Sequence, residues 1–167
     1  KKIGHGGAVY GFSTQLEALP DRQLGVAAVA SLDGSNGVVS RLADYALRLM
    51  LAAQDGKPLP PYRVTGLVPA ERSQELVGTY REVDSERFTR ITEMNGRVFM
   101  ERGSFRYELR AAADDGAILT DDALGFGTPV KLEGGDKLVV GDMAFERQVD
   151  VPPTDIPERW KGLIGEY

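Results

Sequence analysis

The side chain best suited to acid–base chemistry is His5, the one histidine of the chain, which lies among the glycines Gly4, Gly6 and Gly7. Histidine exchanges protons near neutral pH more readily than any other ordinary side chain. A single histidine excludes a metal site built from several histidines, and the absence of cysteine excludes thiol catalysis, thiolate ligands and disulfide bonds. Taken alone, a histidine beside glycines is most typical of a surface loop.

Two acidic pairs are the other candidates for chemistry. Asp114-Asp115 and Asp121-Asp122 offer carboxylates to a calcium ion, but the spacing of an EF-hand loop is absent. We therefore interpret both pairs as turn residues. The sequence predicts neither a metal site nor a cofactor.

The composition narrows the class of protein. Of the 167 residues, 42% are hydrophobic and 27% are charged, which is ordinary for a globular domain. A formal net charge of −5 argues against a nucleic-acid partner, because phosphate binding requires clustered lysine and arginine. No apolar run approaches the roughly 20 residues that span a bilayer, so no membrane span is predicted in this segment.

The first third of the chain predicts three antiparallel strands followed by a helix. The strands cover residues 3–9, 12–19 and 24–32. Residues 24–32 form a nearly continuous apolar run, which is typical of a central strand covered on both faces. The helix covers residues 38–53, with Ser35 or Asn36 as its N-cap. Its apolar stripe consists of Val39, Leu42, Ala43, Ala46, Leu49, Met50 and Ala53. Such a unit is too small to bury both faces of its sheet, so we expect more sheet and helix before residue 1.

A proline-rich segment then separates this unit from a region with a different pattern. Three prolines between residues 58 and 61 prevent a helix from continuing beyond Gly56. From about residue 73 the sequence predicts about eight short strands and no helix, with Asn95-Gly96 as the clearest hairpin turn. These features favour an antiparallel barrel whose aromatic side chains fill its core. The predicted fold class is therefore mainly β with one helix.

The last residues repeat the pattern of the first barrel strand. Residues 163–167 match residues 76–80 after a second proline-containing segment, which predicts a second barrel. The predicted organisation is a sheet-and-helix unit at 1–56, a linker at 57–73, a barrel at 74–149, a linker at 150–161 and the start of a second barrel at 162–167. Because Lys1 shows neither an initiator methionine nor a signal peptide, we expect a piece of a longer protein.

The first segment also carries a family resemblance. The residues concerned are 4–13 (GHGGAVYGFS), 19–21 (LPD), 24–26 (LGV), 34–37 (GSNG) and 42–44 (LAD). Together they resemble the end of the catalytic domain of the penicillin-recognising serine hydrolases, which include class C β-lactamases, DD-peptidases, D-aminopeptidases and related esterases. His5-Gly6-Gly7 resembles the third motif of that group, which is Lys-Thr-Gly in β-lactamases and His-x-Gly in many relatives. The resemblance covers about residues 1–55, and residues 76–80 (LVGTY) resemble the opening of the lipocalin-like barrels that follow the catalytic domain in several members.

The resemblance implies acyl transfer to a serine. It places His5 opposite the nucleophile, where it holds a substrate carboxylate or shares protons, and it makes the backbone N–H that follows Gly7, that of Ala8, an oxyanion donor. The implied partners are an N-terminal catalytic portion and a peptide, ester or β-lactam-like substrate, and a periplasmic or secreted location is implied. Neither the Ser-x-x-Lys motif nor a Tyr-x-Asn or Tyr-x-Ser motif occurs in this chain, so the segment is expected to be inactive alone. Because an imidazole is a weaker carboxylate anchor than an ammonium, peptidase or esterase activity is favoured over β-lactamase activity.

Two alternatives stay open at the level of sequence. Residues 4–7 match the oxyanion loop of an α/β-hydrolase, but the Gly-x-Ser-x-Gly elbow is missing, since Asp33 replaces the first glycine before Ser35. We interpret Ser35 as a loop and cap residue. The chain can instead be a non-catalytic binding or interaction module whose barrel holds a small apolar ligand.

Overall fold

The structure is a computed structural model that describes residues 1–149. The linker predicted at 150–161 and the second barrel predicted from residue 162 lie outside the described residues. The described chain is mainly β, with a three-stranded sheet, a closed barrel and two α-helices.

The first three strands form an antiparallel sheet in sequence order. They are β1 (Ile3–Val9), β2 (Phe12–Leu19) and β3 (Leu24–Ala30), and a single turn of 3-10 helix at Pro20–Arg22 joins the last two. The described residues by themselves do not form the central strand, covered on both faces, that is predicted for residues 24–32. Within the described residues β2 is central, and β3 alternates between half-buried and exposed side chains, so that Val29 is 67% exposed. The apolar run therefore has one covered face and one open face.

Helix α1 (Asn36–Gln54) packs on this sheet, and Gly56 lies just beyond its C-cap with a φ of +64°, which a glycine adopts without strain. Its buried residues are Gly37, Val39, Ala43 and Leu47. The predicted stripe omitted Leu47 and included Leu42 and Met50, which are 56% and 39% exposed. The helix packs along a row of residues spaced by four, which is narrower than the stripe expected from a 3.6-residue period.

A second helix corrects the expectation of a single helix. Strand β4 (Thr65–Gly66) pairs with Ala111 and Ala112, and helix α2 (Ala70–Leu76) follows directly. Pro69 precedes the first turn of α2, where Glu71 interacts favourably with the helix dipole. The prolines at 58–61 thus follow the end of α1 without preventing regular structure soon afterwards. The predicted domain boundaries stay a prediction.

Eight further strands close into an antiparallel barrel, as predicted. They are β5 (Gly78–Glu82), β6 (Phe88–Met94), β7 (Arg97–Arg102), β8 (Phe105–Ala112), β9 (Ile118–Asp121), β10 (Phe126–Glu133), β11 (Lys137–Val140) and β12 (Met143–Arg147). Each strand pairs with its sequence neighbours, and β12 pairs with β5 to complete the ring. The predicted turn at Asn95-Gly96 is confirmed, since both residues have the positive φ values of a tight hairpin.

Side chains fill the middle of the barrel. The members with at most 2% exposure are Leu76, Tyr80, Ile91, Val98, Leu109, Val130, Leu138, Val140 and Phe145. The Tyr80 hydroxyl donates a hydrogen bond of 2.7 Å to the carbonyl oxygen of Leu76, which ties α2 to this core. The expectation that most aromatic residues belong to the core is only partly correct, because Phe88 and Phe105 begin their strands at the barrel ends and are 51% and 57% exposed.

Helix α1 also contacts the barrel. The Gly37 backbone N–H donates to the carbonyl oxygen of Ala123 at 2.8 Å, and Arg41 forms an ion pair with Asp121. A Cβ at residue 37 would lie 2.3 Å from the backbone oxygen of Asp122, so only glycine permits this approach. The sheet-and-helix unit and the barrel therefore meet through the loop between β9 and β10.

Candidate functional site

His5 lies in the middle of β1 on the sheet face opposite α1. Its cross-strand partner is Leu16, whereas the neighbouring residues Gln15 and Glu17 lie on the other face of β2. That other face meets α1, because Ser40 donates a hydrogen bond of 3.2 Å to Gln15. The imidazole is exposed, and it therefore stands on the open side of the sheet.

The open side of the sheet is apolar around His5. Its large exposed side chains are Ile3, Val9, Phe12, Leu16 and Val29, with exposures between 48% and 69%. An alternating strand places residues 3, 5, 7 and 9 of β1 on this face, together with residues 12, 14 and 16 of β2. Within the described residues nothing covers it, so the histidine is accessible to a partner or a substrate.

Gly7 lies on the same face as His5, whereas Ala8 lies on the opposite face of the strand. The carbonyl oxygen of Gly7 accepts two side-chain hydrogen bonds, from Thr14 Oγ1 at 3.3 Å and from Asn36 Nδ2 at 3.2 Å. A Cβ at residue 7 would lie 2.7 Å from Thr14 Oγ1. This close approach is a structural reason for glycine that holds whether or not a substrate binds at the strand.

The structure does not bring His5, Gly7 and Ala8 together with a nucleophile within residues 1–149. The one serine on β2, Ser13, is fully buried and donates to the carbonyl oxygen of Leu32. Ser35 is the N-cap residue of α1, which is one of the two predicted alternatives. Its hydroxyl also donates to the carbonyl oxygen of Leu32 and is not free to act as a nucleophile. The three predicted site residues therefore form part of a surface and not a complete catalytic constellation.

A polar cavity of about 450 Å³ lies where α1, β2 and the barrel meet. The rings of Tyr45 and Tyr62 meet edge to face with centroids 5.2 Å apart, and the Arg41 guanidinium lies 5.0 Å from the ring centroid of Phe126. Arg41 is paired with the carboxylate of Asp121, which also accepts a hydrogen bond from Thr65. Sequence reasoning missed this cavity, and none of the predicted site residues lines it.

A second cavity, of about 520 Å³, occupies one mouth of the barrel. Its lining includes the apolar side chains of Met100, Tyr107, Phe126 and Met143, with Arg102 beside them. The filled layer described above lies beneath it, so the barrel has a cup at one end and no continuous channel through that layer. The sequence analysis favoured a filled interior and kept a ligand-holding barrel as an alternative, and it did not locate the cup.

Charged residues on the barrel are arranged in a connected network. Glu108 is buried and accepts hydrogen bonds from Arg97 Nε at 3.2 Å and from Arg110 Nη1 at 3.0 Å. Burial opposes its ionisation, but these two guanidinium groups outweigh that effect and hold the pKa of the Glu108 carboxyl below its ordinary value of 4.5. Arg110 also contacts Thr65, which links the network to Asp121 and through it to Arg41.

The two members of the pair Asp121-Asp122 have different roles, whereas Asp114 and Asp115 both lie in a turn, as predicted. Asp122 accepts the backbone N–H groups of Leu124 and Gly125, both at 2.8 Å, which confirms it as a turn residue. Asp121 is instead a buried residue at the end of β9, so its interpretation as a turn residue is wrong. Within residues 1–149 no three His, Cys, Asp or Glu side chains converge as metal ligands would.

The helices of the described part include none with the length and apolar character needed to cross a bilayer.

Comparisons with known proteins do not assign this chain to a family. No model of a known protein family matches the chain, and no curated protein matches it. Among solved structures, the chain is similar to the octameric penicillin-binding protein homologue from Pyrococcus abyssi, with 17% sequence identity and a TM-score of 0.31. The match covers 86% of this chain and 33% of that chain, so this chain spans about a third of the length of that protein. A likeness of this size assigns neither family nor activity.

Proposed function

We propose that this chain forms one wall of the active site of a serine hydrolase of the penicillin-recognising group, with the nucleophile on a segment N-terminal to residue 1. The observation that carries the proposal is the position of His5, exposed in the middle of β1 on the open apolar face of the sheet. The order of strand, tight turn, strand, Pro-Asp turn, strand and helix in the resembling segment supports it.

The open face of the sheet suits the docking of another part of the same enzyme. A face with Leu16 at 54% and Val29 at 67% exposure gains free energy when apolar side chains cover it. A helix carrying Ser-x-x-Lys on that side would face His5. The serine hydroxyl would attack the substrate carbonyl carbon, and its proton would pass to the lysine. The carbonyl oxygen of the substrate would then gain negative charge opposite a backbone N–H of β1.

The imidazole of His5 has two roles open to it in such a site. It either transfers protons with the reacting groups or donates a hydrogen bond to a carboxylate of the substrate. Esters and peptides with a D-amino acid are the substrate classes that the resemblance favours.

Serine-directed labelling of the complete gene product tests the proposal. A fluorescent fluorophosphonate or penicillin should label one serine upstream of residue 1, and the 167-residue chain alone should remain unlabelled. His5→Ala should lower kcat/KM for a reactive ester by about 10²–10⁴-fold if the imidazole transfers protons. Arg90→Ala, a change at an exposed position of β6, serves as the control and should leave kcat/KM unchanged.

His5→Lys separates the two roles. An ammonium has an ordinary pKa of about 10.4 and keeps its proton at pH 7, so lysine should fail as a proton-transfer group but succeed as a carboxylate anchor. Full activity of His5→Ala would remove the imidazole from the site, and a complete protein that no serine-directed probe labels would overturn the proposal.

A second candidate function is suggested by the barrel mouth. The cup of about 520 Å³ beside Met100, Tyr107 and Met143 is of a size that accepts a small apolar molecule. A lipophilic fluorescent dye should then bind the chain saturably, and Met143→Trp should abolish this binding by filling the cup. Val83→Trp, at an exposed position outside the cup, is the matched control. Equal dye binding by both variants would dismiss this candidate.

A further inference from the structure

Asn36 is the first residue of α1, yet its side chain contacts strand β1. Its Nδ2 donates to the carbonyl oxygen of Gly7 at 3.2 Å, and its Oδ1 lies 3.4 Å from Ser13 Oγ, whose single proton it shares with the carbonyl oxygen of Leu32 at 2.9 Å. The amide therefore bridges two strands from the start of a helix. Thr14 Oγ1 donates to the same carbonyl oxygen at 3.3 Å.

The strand pairing directs this peptide group, and the two side-chain donors hold it in that direction, since Gly7 is the register partner of Thr14. Thr14 belongs to β2, and Asn36 is held beside Ser13 of the same strand, so the carbonyl of Gly7 faces β2. In a trans peptide the C=O of one residue and the N–H of the next point in opposite directions, and no peptide bond of the described chain is cis. The N–H of Ala8 consequently points away from β2.

The N–H of Ala8 therefore points to the outer edge of β1. Within the described residues β1 pairs with β2 alone, so the outward N–H of Ala8 has no strand partner there. An N–H group at such an edge is available to an acceptor that approaches from outside the sheet.

We propose that Asn36 is a positioning residue, which holds the Gly7–Ala8 peptide so that the N–H of Ala8 serves as an oxyanion donor. This inference rests on the proposed function, because it assigns Asn36 to the same site. A donor whose orientation is fixed before the reaction needs no reorganisation when charge develops on the substrate oxygen. Loss of the side-chain donor leaves the peptide held by the strand pairing and Thr14 alone, so it can tilt further, which weakens the transition-state interaction more than substrate binding.

Asn36→Asp is the decisive variant. It keeps the shape of the side chain and the acceptor for Ser13, but it loses the N–H donor to Gly7. Aspartate is favourable in the first turn of a helix, so α1 should remain folded. In the complete protein we expect kcat with a reactive ester to fall about 10- to 100-fold with little change in KM. Thr14→Val removes the second donor and should lower kcat in the same direction.

The control is Ser40→Ala, which removes a hydrogen bond between α1 and Gln15 without touching Gly7. A readout that needs no activity accompanies the kinetics: in the 167-residue chain, the carbonyl carbon of Gly7 and the amide proton of Ala8 should shift in NMR spectra of Asn36→Asp and not of Ser40→Ala. If the wild-type protein reacts with serine-directed probes but Asn36→Asp matches Ser40→Ala in kcat, the inference fails and the proposed function stands. If the wild-type protein does not react at all, the proposed function fails, and the catalytic use of this contact fails with it.

Discussion

At the scale of single residues, the burial of polar groups is the most informative feature of this chain. Asp121 is 4% exposed and Glu108 is 5% exposed, and each is paired with arginine. A buried carboxylate without its partner costs far more free energy than an exposed one, so these positions should be sensitive to substitution. Aromatic side chains at the barrel ends should be less sensitive to substitution than these buried carboxylates.

A pair of substitutions tests this ranking. Asp121→Ala leaves Arg41 and Thr65 without their acceptor and should lower the free energy of unfolding by about 2–3 kcal/mol. Phe105→Ala should cost below about 1 kcal/mol, because 57% of the side chain is already exposed. Urea unfolding, monitored by far-ultraviolet circular dichroism, measures both free energies of unfolding. A larger loss for Phe105→Ala would contradict the described faces of β8 and β9.

At the scale of elements, the pairing of β7 with β8 is reinforced by charge. Arg97 at the start of β7 and Arg110 near the end of β8 both donate to Glu108. The pKa of Glu108 is held below its ordinary value of 4.5 in the folded chain, so folding favours the ionised carboxyl. This contribution to stability is fully present above pH 4.5 and is lost as the pH falls through the lowered pKa.

The pH dependence of unfolding should therefore reveal Glu108. The free energy of unfolding should decrease as the pH is lowered below 4.5, and Glu108→Gln should make this decrease shallower. Ile91→Val is the control, since it removes a buried methylene without a charge and should lower stability by about 0.5–1.5 kcal/mol at every pH. Identical slopes for Glu108→Gln and wild type would show that the carboxyl contributes nothing to acid sensitivity.

At the scale of the whole molecule, the contact of α1 with the β9–β10 loop decides how the two units are joined. Asp122 shapes this loop by accepting the N–H groups of Leu124 and Gly125, and the loop in turn accepts the N–H of Gly37 through Ala123. The Arg41–Asp121 ion pair lies one helical turn further along. Unfolding of the described part should therefore be cooperative across both units.

The substitution Gly37→Ala tests this contact between α1 and the β9–β10 loop. Helix propensity alone would make alanine stabilising by about 1 kcal/mol. The added Cβ would instead lie 2.3 Å from the Asp122 oxygen and 2.8 Å from the Gly125 nitrogen, so α1 must move away from the loop. We expect calorimetry to resolve two unfolding transitions in place of one, with faster proteolysis in residues 57–64.

Gly25→Ala provides the comparison, because a Cβ there makes ordinary contacts of 3.7 Å. It should keep a single transition. A Gly37→Ala protein that is more stable than wild type would mean that α1 and the barrel are not in close contact.

The sequence by itself determined the local elements. Alternating apolar residues, the Asn95-Gly96 turn and the proline and glycine positions specified the three-stranded sheet, the long helix and the eight barrel strands, because each signal acts between residues near in the chain. Helix α2 escaped detection since it has seven residues and follows a proline-rich segment that reads as a linker.

Tertiary structure alone decided which faces are covered and which polar groups meet. Leu47 is buried and Leu42 exposed because one row of α1 meets the sheet, and Asp121 is buried because Arg41 reaches it from a helix 80 positions earlier in the chain. The Gly7 carbonyl is likewise held by Asn36, a residue that the sequence suggested only as a helix cap. Local patterns carry no information about partners so distant in sequence, since those contacts form only when separate elements pack together.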